Sequence, residues 1–179
     1  MEHIMVVFDS GAAADLGNEL TPTEVKNRPA VSWPAQNDKF YSLFFFDLDV
    51  PSRERPIIRS AELWTVLNIP GNYVSKDHHI TEYLGAGPGR GTGPHRYVYL
   101  IFEQRAPILD LSHPFIPGNT AENRLAFDIA EFALKHELGE PIAGNFFVAQ
   151  YDDYVPELYR RLQSTEYDES YDEMPVDYS

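Results

Sequence analysis

Tyr41-Ser-Leu-Phe-Phe-Phe-Asp-Leu-Asp-Val-Pro-Ser-Arg53 decides how this chain is to be read. Its first six residues are short, apolar and aromatic, as a strand buried on both faces should be. Asp47 and Asp49 follow at once, and Pro51 ends the extended run. At i, i+2 spacing the two carboxylates share a face if the strand continues. A carboxylate at the end of a buried strand is costly unless it is paired or hydrogen-bonded. One solution is an Asx-type turn with an Asp–Arg pair through Arg53 or Arg96; another is a polar site.

Working outward, three further segments have the same strand character: Trp64–Ile69, Arg96–Phe102 and Asn145–Tyr151. Pro70-Gly71 and the Pro/Gly-rich stretch 85–94 supply turns and loops between them. Two segments depart from this pattern. Glu122–Leu138 places Leu125, Ile129, Phe132 and Leu138 near helical spacing, with Gly139 as the expected C-cap. Val155, Leu158, Tyr159 and Leu162 fall at i, i+3, i+4, i+7, and Pro156 suits a first turn. Many strands with a few late helices predict a mainly β protein, a β-sandwich with peripheral helices and a C-terminal helix.

Composition narrows the function classes. The 179 residues carry 14 Lys+Arg against 28 Asp+Glu, a net charge of −14, with no cysteine. Disulfides, thiolate nucleophiles and Cys-ligated zinc are therefore excluded. Nucleic-acid binding lacks the basic stripe it needs, and the overall charge repels an anionic leaflet. The longest apolar runs, Ile4–Phe8 and Tyr97–Phe102, are far short of the ~20 residues that span a bilayer. The start, MEHIMVVFDSG, has no basic n-region, so the expectation is a cytoplasmic protein without a cleaved signal peptide. Residues 164–179 hold six acids and no Lys or Arg. They are expected to be a disordered tail beyond a single domain of residues 1–163. Tyr167, Tyr171 and Tyr178 stand among those acids, a context that some tyrosine kinases favour.

A second chemical segment is Gly85-Ala-Gly-Pro-Gly-Arg-Gly-Thr-Gly-Pro-His95-Arg96. Five glycines in nine residues allow close backbone approach and an anion-binding nest of N–H groups. Neither the dinucleotide nor the Walker fingerprint is present, so the stretch alone reads equally as a surface loop. His95 stands where it enters the next strand and could share a pocket with Asp47. His78, His79, His113 and His136 lack the spacing of a metal site. No G-x-S-x-G elbow supplies a nucleophile, so an Asp47/His95 hydrolase has little to work with.

In order along the chain stand Leu20-Thr-Pro-Thr-Glu-Val-Lys-Asn-Arg-Pro29, Asp47-x-Asp49-x-Pro-Ser-Arg53, Asn68-Ile-Pro-Gly71, Gly93-x-His-Arg-Tyr-Val98, Pro141-x-Ala-Gly-Asn-Phe-Phe147 and Asp152-Asp-Tyr-Val-Pro156. Over about residues 4–163 this resembles the phosphatidylethanolamine-binding protein family, which includes the Raf kinase inhibitor protein. The resemblance implies a large antiparallel sheet packed on a smaller one, with side and C-terminal helices. It also implies an anion-accepting pocket that needs neither metal nor cofactor. Carried over motif by motif, the pocket residues are Asp47, Pro51, His95, Tyr97 and Tyr159. The implied ligand is a small phosphorylated or anionic group, such as phosphate or a phospholipid headgroup. The implied alternative is a regulatory inhibitor of a kinase or serine protease acting through surface contacts. A non-enzymatic monomer is expected.

The sequence departs from that pattern at two pocket positions. Where relatives carry a histidine five residues before the Asn of N-I-P-G, this chain has Leu63, and the proline between the two aspartates is Leu48. Its start, compared with that pattern, is also expected to lack the helical N-terminal segment of many relatives. An imidazole donating to a phosphate oxygen contributes about 1.5–3 kcal/mol, and leucine donates nothing. Phosphate or phosphoethanolamine is therefore expected to bind more than about tenfold more weakly than to a His-containing relative. Other residues keep two readings. Arg96 could simply neutralise Asp49 beneath the pocket, and Tyr151, Tyr154 and Tyr159 could be packing residues with wet hydroxyls.

Overall fold

The computed structural model describes residues 1–74, 79–109 and 112–162. The expected tail, residues 164–179, and His78 lie outside them. The long strands are β4 (Phe40–Asp47), β5 (Ala61–Pro70), β7 (His95–Gln104) and β8 (Ala143–Ala149). Shorter ones are β1 (Glu2–His3), β2 (Met5–Val7), β3 (Ala30–Ser32) and β6 (His79–Thr81). Six strands form one sheet in the order β1-β8-β7-β4-β5-β6, and β2 and β3 form a two-stranded sheet. Pairing is antiparallel except for the parallel edge strand β1 against β8. The mainly β architecture expected from the sequence is observed.

β4 is apolar throughout because both of its faces are covered. Leu43 and Phe45 face a core that includes Val6, Phe8, Trp33, Tyr97 and Tyr99. Phe44 and Phe46 face a second core with Phe102, Phe132 and Leu138. Helix α1 (Ile129–Lys135) covers the second face. On β7 the alternation is regular: His95, Tyr97, Tyr99 and Ile101 are buried, while Arg96, Val98 and Leu100 are half-buried. Asp47 pairs with Tyr97 in register. The two-residue side-chain period therefore sets Asp47, Tyr97 and His95 on the same face.

The helix expected over 122–138 is much shorter. Asn123 and Ala126 have φ of 63° and 57°, which no α-helix accommodates. The reason is Arg124, whose side chain is almost fully buried. It donates to the carbonyls of Thr120, Glu62, Leu63, Glu82 and Pro117, which holds the chain irregular around it. The helix begins only where Asp128 caps the amides of Ala130 and Glu131. It also ends earlier than Gly139. Glu137 takes the left-handed position at φ 53°, and Leu138 N–H bonds to Ala133 O. That six-to-one bond, with Leu138 buried against Phe132, is a Schellman ending closed by a non-glycine.

Helix α2 (Val155–Leu162) forms where expected, with Pro156 in its first turn. Gly87 lets it come close: a Cβ there would meet Leu158 Cδ2 at 2.8 Å. The peptides Val50–Pro51 and Arg59–Ser60 are cis. None of the helices among the described residues is long and apolar enough to cross a membrane.

Candidate functional site

The ends of β4 and β7 bring Asp47 and His95 together. His95 Nδ1 lies 2.8 Å from Asp47 Oδ2, and both residues are buried. Asp47 Oδ1 accepts the Asp49 N–H at 2.8 Å, the Asx-type turn anticipated above. An ionised carboxylate only accepts, so Nδ1 carries the shared proton. The other ring nitrogen, Nε2, lies 2.8 Å from Thr92 Oγ1, and that hydroxyl also reaches the Gly89 carbonyl at 2.9 Å. Asp47, His95, Thr92 and Gly89 are thus one chain of hydrogen bonds joining the strand ends to the glycine-rich loop. Both nitrogens of His95 are engaged, so the ring reaches an anion only by exchanging Thr92 for it.

Tyr97 lies beneath the pair, its ring stacked 6.4 Å from that of His95. It is fully buried, and among the described residues its hydroxyl meets no partner at hydrogen-bonding geometry. Burial first, then the Asp47 charge beside it, pushes the phenol well above its ordinary range, so it stays a donor. The Asp47 carboxylate and the Gly87 backbone lie close enough to act on it, and a buried hydroxyl so poorly partnered costs free energy. Tyr159 on α2 donates to Gly87 O at 2.6 Å, fastening the helix over the same loop. Its hydroxyl is therefore engaged with the loop.

Behind this lies Asp49, fully buried. Arg96 donates to it from its backbone N–H at 2.9 Å, from Nε at 2.9 Å and from Nη2 at 2.7 Å. Burial, the largest influence, pushes the Asp49 carboxyl up, but the Arg96 hydrogen bonds and charge, with His95 beyond, together hold it below the usual range. Of the two arginines considered for the aspartates, Arg96 is the one used, and it serves Asp49.

The remaining expected residues are placed differently. Pro51 is exposed at the start of the β4–β5 loop. Leu63, on β5, is buried in the core cluster that contains Ala61, Ala86 and Tyr97, and its carbonyl accepts the Leu84 N–H. Tyr154 is a packing residue whose hydroxyl accepts from Arg161, and Tyr151 stacks under Arg90 at 4.9 Å. Thr92 and Gly87 stood in the glycine-rich sequence without a role. Only a partner 48 residues away, at the end of another strand, turns that loop into part of the site. Among the described residues, no group of three or more His, Cys, Asp or Glu is placed to hold a metal ion.

A second buried polar cluster was not foreseen. Glu62, fully buried on β5, accepts from Thr65 Oγ1 and lies 2.8 Å from His113 Nε2. His113 Nδ1 donates to Pro114 O at 2.7 Å. Burial, the largest influence, pushes the His113 ring down; the Glu62 contact and the Pro114 carbonyl outweigh it, so its pKa is raised. Arg124 crosses the same region, pushed down by burial to about 10 and still charged at neutral pH.

The family model described as phosphatidylethanolamine-binding protein matches residues 10–147. The chain belongs to the phosphatidylethanolamine-binding protein family. It is 35% identical over 161 residues to "Putative odorant-binding protein A5" of Drosophila melanogaster, covering 90% of this chain and 76% of that protein. The solution structure of the protein CG7054 is 40% identical, with a TM-score of 0.72 over 89% of this chain and 90% of that one. The phosphatidylethanolamine-binding protein of Plasmodium vivax shares the fold at 22% identity, TM-score 0.70, covering 85% and 86% of the two chains. A carboxypeptidase Y inhibitor solved with its cognate proteinase does so at 22% identity, TM-score 0.69, covering 84% of each chain. In this phosphatidylethanolamine-binding family member, the Asp47–His95 pair and the glycine-rich loop occupy the end of the large sheet where β4, β7 and α2 meet.

Proposed function

We propose that this protein is a non-enzymatic binding protein for a small anionic or phosphorylated group, taken at the end of the large sheet by His95, Tyr97 and the glycine-rich loop. The observation that carries this reading is the Tyr97 hydroxyl, buried and kept protonated beside the Asp47–His95 pair, with no partner at full hydrogen-bond geometry. A ligand oxygen at that hydroxyl would satisfy it. Thr92 gives His95 Nε2 a partner that a phosphate oxygen would replace. Binding is weak for two reasons. Leu63 offers no donor, and His95 must give up one hydrogen bond to gain another. Asp47 also opposes the anion, and the His95 Nδ1–H is the group that faces its carboxylate.

Titration with phosphoethanolamine, followed by amide NMR, tests the reading. Shifts centred on Gly87, Thr92, His95 and Tyr97 are expected, with affinity in the weak range. Tyr97→Phe should lose about tenfold in affinity with little loss of stability, because the hydroxyl deleted makes no bond at full hydrogen-bond geometry. Unchanged affinity in that variant refutes the assignment. His95→Ala separates this role from inhibition of a kinase or protease through the surface, which would survive the substitution.

A further inference from the structure

The β4–β5 loop, Pro51–Arg59, has a character opposite to that of the rest of the chain. It carries Arg53, Arg55 and Arg59 against the single acid Glu54, in a protein of net charge −14. All four side chains are exposed, and among the described residues none of the three guanidinium groups is in an ion pair. Between the arginines stand Ile57 and Ile58, 75% and 36% exposed. The Ala126 N–H donates to Ile58 O, which sets Leu125, 50% exposed, beside them. Single exposed apolar residues are ordinary; three adjacent ones, two of them flanked by arginines, need an occupant.

The loop is fixed to the candidate site. Ile58 N–H donates to Val50 O at 3.3 Å, and Arg59 Nε donates to Leu48 O at 3.0 Å. It therefore stands at the end of the large sheet where β4 delivers Asp47 and Asp49. We infer that this loop, with Leu125, is a docking surface for an anionic phospholipid bilayer. Ile57, Ile58 and Leu125 enter the boundary between headgroups and acyl chains, and the arginines meet lipid phosphates. The surface is distinct from the pocket, and the inference holds whether or not the pocket takes a headgroup.

Two features favour a bilayer over an acidic protein segment. Ile57 projects at the exposure of a tip rather than lining a groove, which suits a deformable lipid phase better than a folded partner. An apolar tip flanked by cationic residues is also the pattern of interfacial anchors. The negative charge of the molecule does not prevent this. At physiological salt, acids more than about 8 Å away are largely screened, whereas each arginine at the lipid surface acts at close range.

Sedimentation of the full chain with vesicles of phosphatidylcholine alone, or mixed with an equal part of phosphatidylserine, tests it. Binding is expected only with the mixture and should fall as salt rises. Arg53→Gln with Arg55→Gln should weaken partition about fivefold per arginine. An Ile57→Trp reporter should shift its emission to the blue only on the anionic vesicles, against the buried Trp33 and Trp64. These side chains are exposed, so the variants should melt like the parent. Equal binding to both vesicle types, or no effect of the arginine pair, overturns the inference. So does an absence of vesicle binding in which an added peptide of residues 164–179 perturbs Ile57 instead. That last result would assign the loop to the acidic tail.

Discussion

Arg96→Met should be among the most damaging substitutions near the site, and its cost can be worked from the geometry. Asp49 is fully buried and receives three hydrogen bonds from one residue. The variant keeps the backbone N–H bond and loses the two charge-assisted ones from Nε and Nη2. Removing one partner of a buried ion pair costs about 3–5 kcal/mol. The Arg96 side chain is 31% exposed, so water can replace part of what it gave, and the lower end applies. For a domain of this size about 3 kcal/mol corresponds to a fall of roughly 6–12 °C in Tm. Urea denaturation followed by fluorescence and far-UV circular dichroism measures it directly. The pH dependence supplies an internal check. A carboxyl held below its unfolded value contributes stability above that value and loses it as pH falls through the folded pKa. Wild type and variant should therefore differ most at neutral pH and converge in acid, below about pH 4. Asp49→Asn combined with Arg96→Met should recover much of the loss by removing the stranded charge. A neutral-pH difference under about 0.5 kcal/mol, or one that persists unchanged in acid, would refute the reasoning, since that is the scale of ordinary surface changes.

The Glu62–His113 contact predicts a slope of the opposite sign. The raised His113 pKa contributes stability that is full below about pH 6.5 and is lost as pH rises through the folded value. His113→Gln should flatten that region of the stability profile, read from urea midpoints across pH. Arg124→Lys should cost more than about 2 kcal/mol, because an ammonium has three donors for the five carbonyls the guanidinium now reaches. Thermal unfolding measures it, and a neutral result would mean those carbonyls find other donors. Leu63→His should tighten phosphoethanolamine binding about tenfold by NMR titration if the missing imidazole is what weakens the pocket. Unchanged affinity would show that the buried position of Leu63 keeps a ring there from the ligand.

Much of this molecule follows from local pattern. The aromatic run before Asp47, the alternation from His95 to Ile101 and the spacing of Val155, Leu158 and Leu162 each specify an element through its own period, 2 or 3.6. The tight placement of Asp47 against Tyr97 is also a consequence of pattern, since once two strands pair, the pleat decides which side chains share a face. Family membership is carried by the ordered motifs, and the family model and relatives bear it out.

Contacts distant in sequence decided the rest. A helix over 122–138 has the right apolar spacing, yet Arg124 breaks it by drawing five carbonyls from 62, 63, 82, 117 and 120 around one guanidinium. Nothing in the neighbourhood of Arg124 in the chain announces the three distant acceptors, those of 62, 63 and 82. Asp47 became a partner of His95, and Glu62 a partner of His113, for the same reason: a hydrogen bond depends on where two atoms meet, and only packing fixes that. Sequence periodicity determines which face a residue occupies because that depends on its near neighbours. What waits across that face, and so whether a buried polar group is well partnered, as Asp49 is, or poorly partnered, as the Tyr97 hydroxyl is, belongs to the tertiary structure.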